Sequence, residues 1–432
     1  MKLWDKGFST EKLIEQFTVG KDYELDENIA KYDVLASMAH ASMLEKINIL
    51  TKTELDAILE VFKEILQEIE DGKFTIEADF EDVHSKLEYL LTERLGETGK
   101  KIHTGRSRND QVLVAMHLYI KDEIKDIVGQ TESLFKVLTK LSEQYKDNII
   151  PGYTHMQIAM PSSFGLWFGA YAESLVDDLY FLQAAYRIAD QNPLGSAAGY
   201  GSSFPIDRTF TTRQLGFEDL KYNVVAAQMS RGKVEKSMAV GMASIAATVG
   251  KLAMDICLYM GQNYGFLSFP DQLTTGSSIM PHKKNPDVFE LVRGKCNKIQ
   301  MLPTELGYIT NNLSSGYHRD LQLLKESLIP AIETLKSCLH ITTFALDQII
   351  IKEGFINEDR YKYLYSVEAV NEKVVNGLSF RDAYVEVAEE IANDRYQPQK
   401  HLNHTHEGSI GNLCTGQIQE KFNKAIAFFK GS

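Results

Sequence analysis

The stretch MASIAATVGKLAMDICLYM, Met242 to Met260, decides the fold. Across it and the residues just before it, apolar positions recur in steps of three and four: Val234, Met238, Gly241, Ile245, Val249, Leu252, Ile256 and Tyr259. That spacing is a helix with a seam close to 3.5 residues per turn. Apolar residues also lie off the seam, so more than one face must be covered, and a self-associated bundle covers them. Residues 113–145 repeat the pattern through Leu113, His117, Ile120, Ile124, Ile127, Thr131, Leu134, Leu138, Leu141 and Tyr145. So do residues 321–349, through Leu321, Leu324, Leu328, Ile332, Leu335, Leu339, Thr342, Leu346 and Ile349. A fourth long helix is predicted over 162–189 and a fifth after Pro286. Helices of this length span ~45 Å, more than a compact monomer needs. β signals are sparse and no GxGxxG fingerprint opens a βα unit, so the expected class is all-α.

The bulk numbers agree with such a core. The chain has 432 residues, of which 44% are hydrophobic and 24% charged. That length predicts two or three domains. Short helices with polar joints are expected over 1–103, the long-helix bundle over 104–355 and a small helical module over 356–432. Net charge is 46 − 59 = −13, which excludes general nucleic-acid binding but leaves room for a local cationic pocket. Four scattered cysteines form no CxxC pair and read as buried free thiols. The N-terminus is too charged for a secretory leader, and no membrane span is expected, so the chain is placed in the cytoplasm. His401, His404 and His406 in the turn-rich tail fit no ordinary ligand spacing, so no metal is expected there.

Three connectors carry residues that a connector does not need. GSSIMPHKKNPD, Gly276 to Asp287, offers a free backbone, two hydroxyls and two lysines, with Pro286 set to open a helix. A serine beside a lysine ionises more readily than in water, so Ser277 or Ser278 is a candidate base. Lys283, Lys284 and nearby helix amides create positive potential for a carboxylate. KIHTGRSRNDQ, Lys101 to Gln111, presents Arg106 and Arg108, suited to planar recognition of carboxylates. PGYTHMQIAMP, Pro151 to Pro161, adds Thr154 and His155. A base, an acid and carboxylate binders, without a nucleotide loop, fit elimination from a dicarboxylic acid. Loops at one level of a bundle can meet, and the three are expected to do so.

GSSIMPHKKNPD resembles the signature loop of the fumarase/aspartase superfamily, GSSxMPxKxNP. HTGRSRNDQ, the KLW at the start, PLGSAAG before PIDR, and YHRDLQ are similar to the argininosuccinate lyases within it, almost end to end. The resemblance implies three helical domains and a homotetramer whose central helices form a twenty-helix bundle. Each site is then shared between subunits, and no cofactor is used. It implies anti β-elimination of argininosuccinate to arginine and fumarate. Ser277 matches the base. Lys283 and Asn285 match the groups that hold the developing dianion, and His155 with Glu290 matches the acid side. Arg108, Asn109, Thr154, Tyr317 and Gln322 match substrate contacts. Asp82 in EDVH matches an acidic contact, and Asn28 falls where the family often has serine.

The chain departs from the family pattern at several points. THLQRAQP is here THMQIAMP, with Ile158 and Met160 in place of polar residues. KLWGGRF is KLWDKGF, the tyrosine motif carries His318, QMSRGK leaves Gly232 where aspartate is common, and MPQKKNP is MPHKKNP with His282. His282 is the adenylosuccinate lyase residue, which keeps that enzyme as the alternative reading beside a non-catalytic structural relative. The losses beside the site suggest a modified argininosuccinate, such as one acylated on its α-amine.

Overall fold

A computed structural model describes residues 12–77 and 79–431; the KLW motif lies outside them. Among the described residues six α-helices precede the bundle: α1 (Lys12–Val19), α2 (Asp22–Asp26), α3 (Ala30–Lys46), α4 (Lys52–Glu70), α5 (Val83–Leu95) and α6 (Glu97–Lys100). Their starts are written in the sequence. The Thr51 hydroxyl and the Glu54 carboxylate form a reciprocal capping box on α4, and Asp82 caps α5 by accepting from the Ser85 amide at 2.8 Å.

The long helices are α7 (Arg108–Gln144), α8 (Phe164–Ala189), α11 (Lys233–Met260), α12 (Asp287–Gln300) and α14 (Leu323–Leu346). Shorter helices join them: α9 (Arg208–Gln214), α10 (Val224–Gln228) and α13 (Leu302–Ile309). At 37 residues α7 is ~55 Å long, and α14 at 24 residues is ~36 Å. Every apolar seam position from Leu113 to Leu141 is buried, as are His117 and Thr131. Helix α11 packs against α8, α12 and α14, and α7 against α8 and α14. By length and composition α11 could cross a bilayer, which the sequence reading had not anticipated. Here its seam is a core seam, with Ile245, Val249 and Ile256 fully buried. Pro286 caps α12 rather than opening it, since the helix begins at Asp287.

The direction of these helices matters most. Arg108 at the start of α7, Arg231 just before α11, and Gln322 and Lys325 at the start of α14 line one cavity. The first turns of α7, α11 and α14 therefore converge. Their far ends also sit together. The Tyr145 ring after α7 lies 6.5 Å from Phe168 near the start of α8. Trp167 of α8 lies 5.3 Å from Tyr259 of α11. Strand β5 (Leu267–Ser268), after α11, pairs antiparallel with β6 (Ile350–Ile351), after α14. Helix α12 runs back along α11, with Cys296 against Gly250.

Strand β1 (Ile149–Thr154) pairs with β2 (Gln157–Ser163), so residues 151–161 form a hairpin and not a loose connector. Two-residue strands β3 (Gln191–Asn192) and β4 (Asp219–Leu220) pair in parallel. After the bundle come α15 (Ser366–Val375) and α16 (Phe380–Ala392), with a small core of Val370, Ala383, Val387 and Tyr396. The last helix, α17 (Thr415–Lys430), returns to the bundle, where Phe422 stacks on Phe135 of α7 at 3.8 Å. Cys257, Cys296, Cys338 and Cys414 are all free.

Apolar side chains stay exposed on the bundle's outer faces. Val240 and Met254 of α11, Leu291 of α12, Tyr308 of α13 and Phe344 of α14 are among them. They lie on four helices of the bundle, α11, α12, α13 and α14.

Candidate active site

At the first-turn end, Ser107 caps α7 and forms a capping box with Asp110. Asp110 is buried and also accepts from the amides of Gly195 (3.2 Å) and Ala197 (3.0 Å). Burial pushes its carboxyl up to about 6 despite these donors. Asp110 thus ties the PLGSAAG turn to the start of α7. Arg106 is buried and donates to the Ser37 hydroxyl at 2.7 Å. Of the two arginines in the motif, only Arg108 reaches the cavity.

Arg108 pairs with Asp82 at 2.6 Å and with Glu81 at 3.0 Å, and donates to the Ser85 hydroxyl at 3.1 Å. Arg319 meets the same Glu81 at 2.6 Å. Burial works to raise Asp82, but His84, Arg108 and the Ser85 donors hold it below the usual carboxylate range. Lys325, buried, bridges Asp22 (2.7 Å) and Asp26 (2.5 Å). Burial works to lower the lysine, and the two carboxylates overcome it, so it stays charged. Burial pushes Asp22 up to about 6, with Lys325 pulling the other way. His84 contacts Asp33 at 2.9 Å. Burial disfavours its charged form, but Asp33 and Asp82 more than offset that.

The cavity between these groups has a volume of about 120 Å³. Asp82, Arg108, Asn109, Tyr317 and Gln322, all expected from the sequence, line it together. Asn28 does not; its amide donates to Leu25 O at 3.0 Å. Lys325, Arg319, Arg231, Glu81 and His84 also line it and were missed. Lys325 had a signal: it is a charged residue between Leu324 and Leu328 on the apolar seam, and buried lysines are rare unless paired. Gly232, where aspartate is common, is explained locally. Its φ is +83°, and a Cβ there would lie 2.4 Å from Thr310 Cγ2.

The other candidates sit at the opposite end. The signature loop leaves β5 and enters α12. It is pinned where the Asn285 amide donates to Thr275 O at 2.8 Å. Ser277 Oγ accepts from the amides of Ile279 (3.3 Å) and Met280 (3.1 Å). Lys284 is engaged by Asp271, whereas Lys283 is exposed and forms no ion pair with a described residue. Glu290 is exposed on the first turn of α12.

Thr154 and His155 are exposed at the tip of the β1–β2 hairpin. The two-residue turn is His155–Met156, with φ of 53° and 60°. Both values are positive, as a type I′ turn demands, where Asn-Gly is usual. A histidine and a methionine hold this strained form only because the strands impose it, and such strain clusters at functional sites.

Within one chain the three connectors therefore do not meet. The hairpin and the signature loop root at the far ends of α7, α11 and α14, while Arg108 lies at their first turns. Ser277, Lys283, Asn285, Glu290, Thr154 and His155 are absent from the lining of the Arg108 cavity. Among the described residues no group of three or more His, Cys, Asp or Glu could hold a metal. In the tail His404 instead pairs with Glu368 at 3.0 Å.

The sequence profile of a lyase family matches residues 6–301. The argininosuccinate lyase of Bacteroides thetaiotaomicron is 55% identical over 428 residues, 99% of this chain and 96% of that one. That of Parabacteroides distasonis is 56% identical over the same share of each, and that of Thermotoga neapolitana 42% identical over 91% of this chain and 99% of its own. The fold matches an EDDS lyase variant with bound fumarate at a TM-score of 0.75, 19% identity, covering 98% of this chain and 91% of that one. It matches the class II fumarase of Schistosoma mansoni at 0.73, 15% identity, covering 97% and 95%. The chain belongs to the argininosuccinate lyase family, within the fumarase/aspartase superfamily.

Proposed function

We propose that the chain splits argininosuccinate into arginine and fumarate, in arginine biosynthesis, by the following division of labour. Ser277 takes the proton from the succinyl carbon beside a carboxylate. Lys283 and Asn285 hold the dianion that forms, and one such donor is typically worth ~3 kcal/mol of barrier. The C–N bond then breaks, and the leaving guanidinium nitrogen gains a proton from the side held by His155 and Glu290. Arg108, Asn109, Thr154, Tyr317 and Gln322 bind the substrate, with Asp82 fixing Arg108.

The observation that carries this reading is the split between the two ends. Arg108, Asn109, Tyr317 and Gln322 converge in a charged cleft, while Thr154, the exposed lysine and imidazole, and the half-buried Ser277 hydroxyl stand at the other end of helices ~36–55 Å long. Copies packed antiparallel along their exposed apolar faces bring one chain's cleft beside another's loops. A homotetramer in the cytoplasm, with each site shared between subunits, is the assembly proposed, and 1–103, 104–355 and 356–432 are the proposed domains.

The test is a substrate panel followed through fumarate release. Argininosuccinate should turn over, and adenylosuccinate should not. Fumarate from adenylosuccinate alone would overturn the reading. An N-acylated argininosuccinate belongs in the panel because Ile158 and Met160 put apolar side chains on β2 where the family carries polar ones, with Gln157 opposite Thr154 kept. Faster turnover of plain argininosuccinate would remove that variant of the reading.

A further inference from the structure

A second cavity adjoins the one around Arg108. Its volume is about 310 Å³, and Arg231 lines both. Three cations border it, Arg231, Lys233 and Lys236, and no carboxylate does. Arg231 is already engaged: it pairs with Glu235 at 2.9 Å and donates to Leu321 O at 3.0 Å. Lys233 and Lys236, in the first turn of α11, are exposed and form no ion pair with a described residue. Ser314 and Ser315 add hydroxyls to the wall.

Gln228 is the residue that points to a ligand. It lines the cavity and is 1% exposed, yet neither its Oε1 nor its Nε2 has a hydrogen-bond partner among the described residues. Gly199 of the PLGSAAG turn closes in behind it: with φ at +97°, a Cβ there would lie 3.1 Å from Gln228 Cβ and Cγ. A buried amide left unpaired costs stability, and it offers a donor on one side and an acceptor on the other. At neutral pH a carboxylate or sulfate can only accept. Hydrogenphosphate accepts through its bare oxygens and donates through its O–H, so it satisfies both atoms of the amide. We propose that this cavity binds inorganic phosphate, held by Gln228, Lys233 and Lys236, and that the bound anion weakens substrate binding through Arg231. Arg231 borders both cavities, and the Leu321 carbonyl it holds precedes Gln322 of the cleft. A dianion beside it lowers the positive potential offered to an anionic substrate. That second effect rests on the reading of the Arg108 cavity as the substrate cleft; the binding of phosphate does not.

The experiment is calorimetry of the whole enzyme with inorganic phosphate, at ionic strength fixed with potassium chloride. Phosphate should bind ~10-fold tighter than sulfate, the difference of about one hydrogen bond. The double change Lys233→Gln and Lys236→Gln should weaken phosphate binding ~10-fold or more and leave kcat and KM in phosphate-free buffer unchanged. Gln228→Met should remove the preference over sulfate, and the exposed lysine pair serves if that variant folds poorly. In steady-state assays saturating phosphate should raise KM for argininosuccinate ~5-fold or more at constant kcat, and should not do so in the double lysine variant. Absence of binding, equal binding of sulfate, or binding that survives the lysine changes overturns the site. Binding that leaves KM unmoved overturns the coupling through Arg231. Failure of argininosuccinate to turn over would sink the proposed reaction instead, and calorimetry would still decide the anion site.

Discussion

The two ends of the bundle are built on opposite plans. At the first-turn end, Arg108, Asp82, Glu81 and Lys325 are paired, largely buried and already in place. At the far end, Lys283, Glu290 and His155 are exposed, and Ser277 is half-buried with only the amides of its own loop as partners. Buried charges must be paired within the chain because desolvation is costly. Exposed ones can wait for a second copy. In the proposed assembly the cleft is thus preorganised in each protomer, whereas Ser277, Lys283, Glu290 and His155 acquire their surroundings from other copies. On that proposal the low-dielectric environment that strengthens their electrostatics comes from neighbouring copies.

The largest expected effect falls on the far end. Ser277→Ala should reduce kcat by roughly 10²–10⁴ while substrate still binds, as stopped-flow binding or calorimetry will show. Undiminished fumarate release would mean that the base lies elsewhere. The second experiment joins the two ends. Ser277→Ala and Arg108→Ala, each inactive alone, should recover activity when unfolded and refolded together, because some sites then combine an intact loop with an intact cleft. No recovery at any mixing ratio would break the proposal of shared sites.

At the cleft end the effect is smaller and of another kind. Arg108→Lys keeps the charge but loses the planar fork that spans Asp82 and Glu81. KM should rise ~10-fold or more with a lesser change in kcat, read from steady-state kinetics. A loss confined to kcat would put Arg108 with the chemistry rather than with recognition.

The smallest effect concerns stability between the ends. His117 is buried in α7 and contacts Ala189 O at 2.8 Å. Burial pushes its pKa down to about 4. A depressed histidine is destabilising once the unfolded chain takes up the proton, so stability falls as pH drops from ~6.5 through 4. Asp110 and Asp22, raised to about 6, act in the opposite sense over the same window. Comparing His117→Gln with the parent isolates the histidine. The parent should lose ~2 kcal/mol more between pH 7 and 4.5 in denaturant melts. Equal slopes would show that His117 titrates normally.

Much of this architecture was legible beforehand. The seams of α7, α11 and α14 appear as steps of three and four because each helix buries one continuous stripe. Capping residues such as Ser107 and Asp82 also announced their helix starts. The hairpin at 149–163 was not legible. Its turn is His-Met rather than Asn-Gly, and turn chemistry was the only local cue available. Glu81 and Arg319 escaped notice because ion pairs between residues far apart in sequence leave no periodic trace, whereas Lys325 was marked only by its place beside the apolar seam of α14.

The sequence by itself determined the all-α class, the long helices and the family, because periodicity and motif spacing are local properties of the chain. It also named the residue types of an elimination site. Only the tertiary structure decided that α7, α11 and α14 run parallel, since helix direction is set by packing across the core. That one fact places Arg108 at one end and the Ser277 and His155 loops at the other.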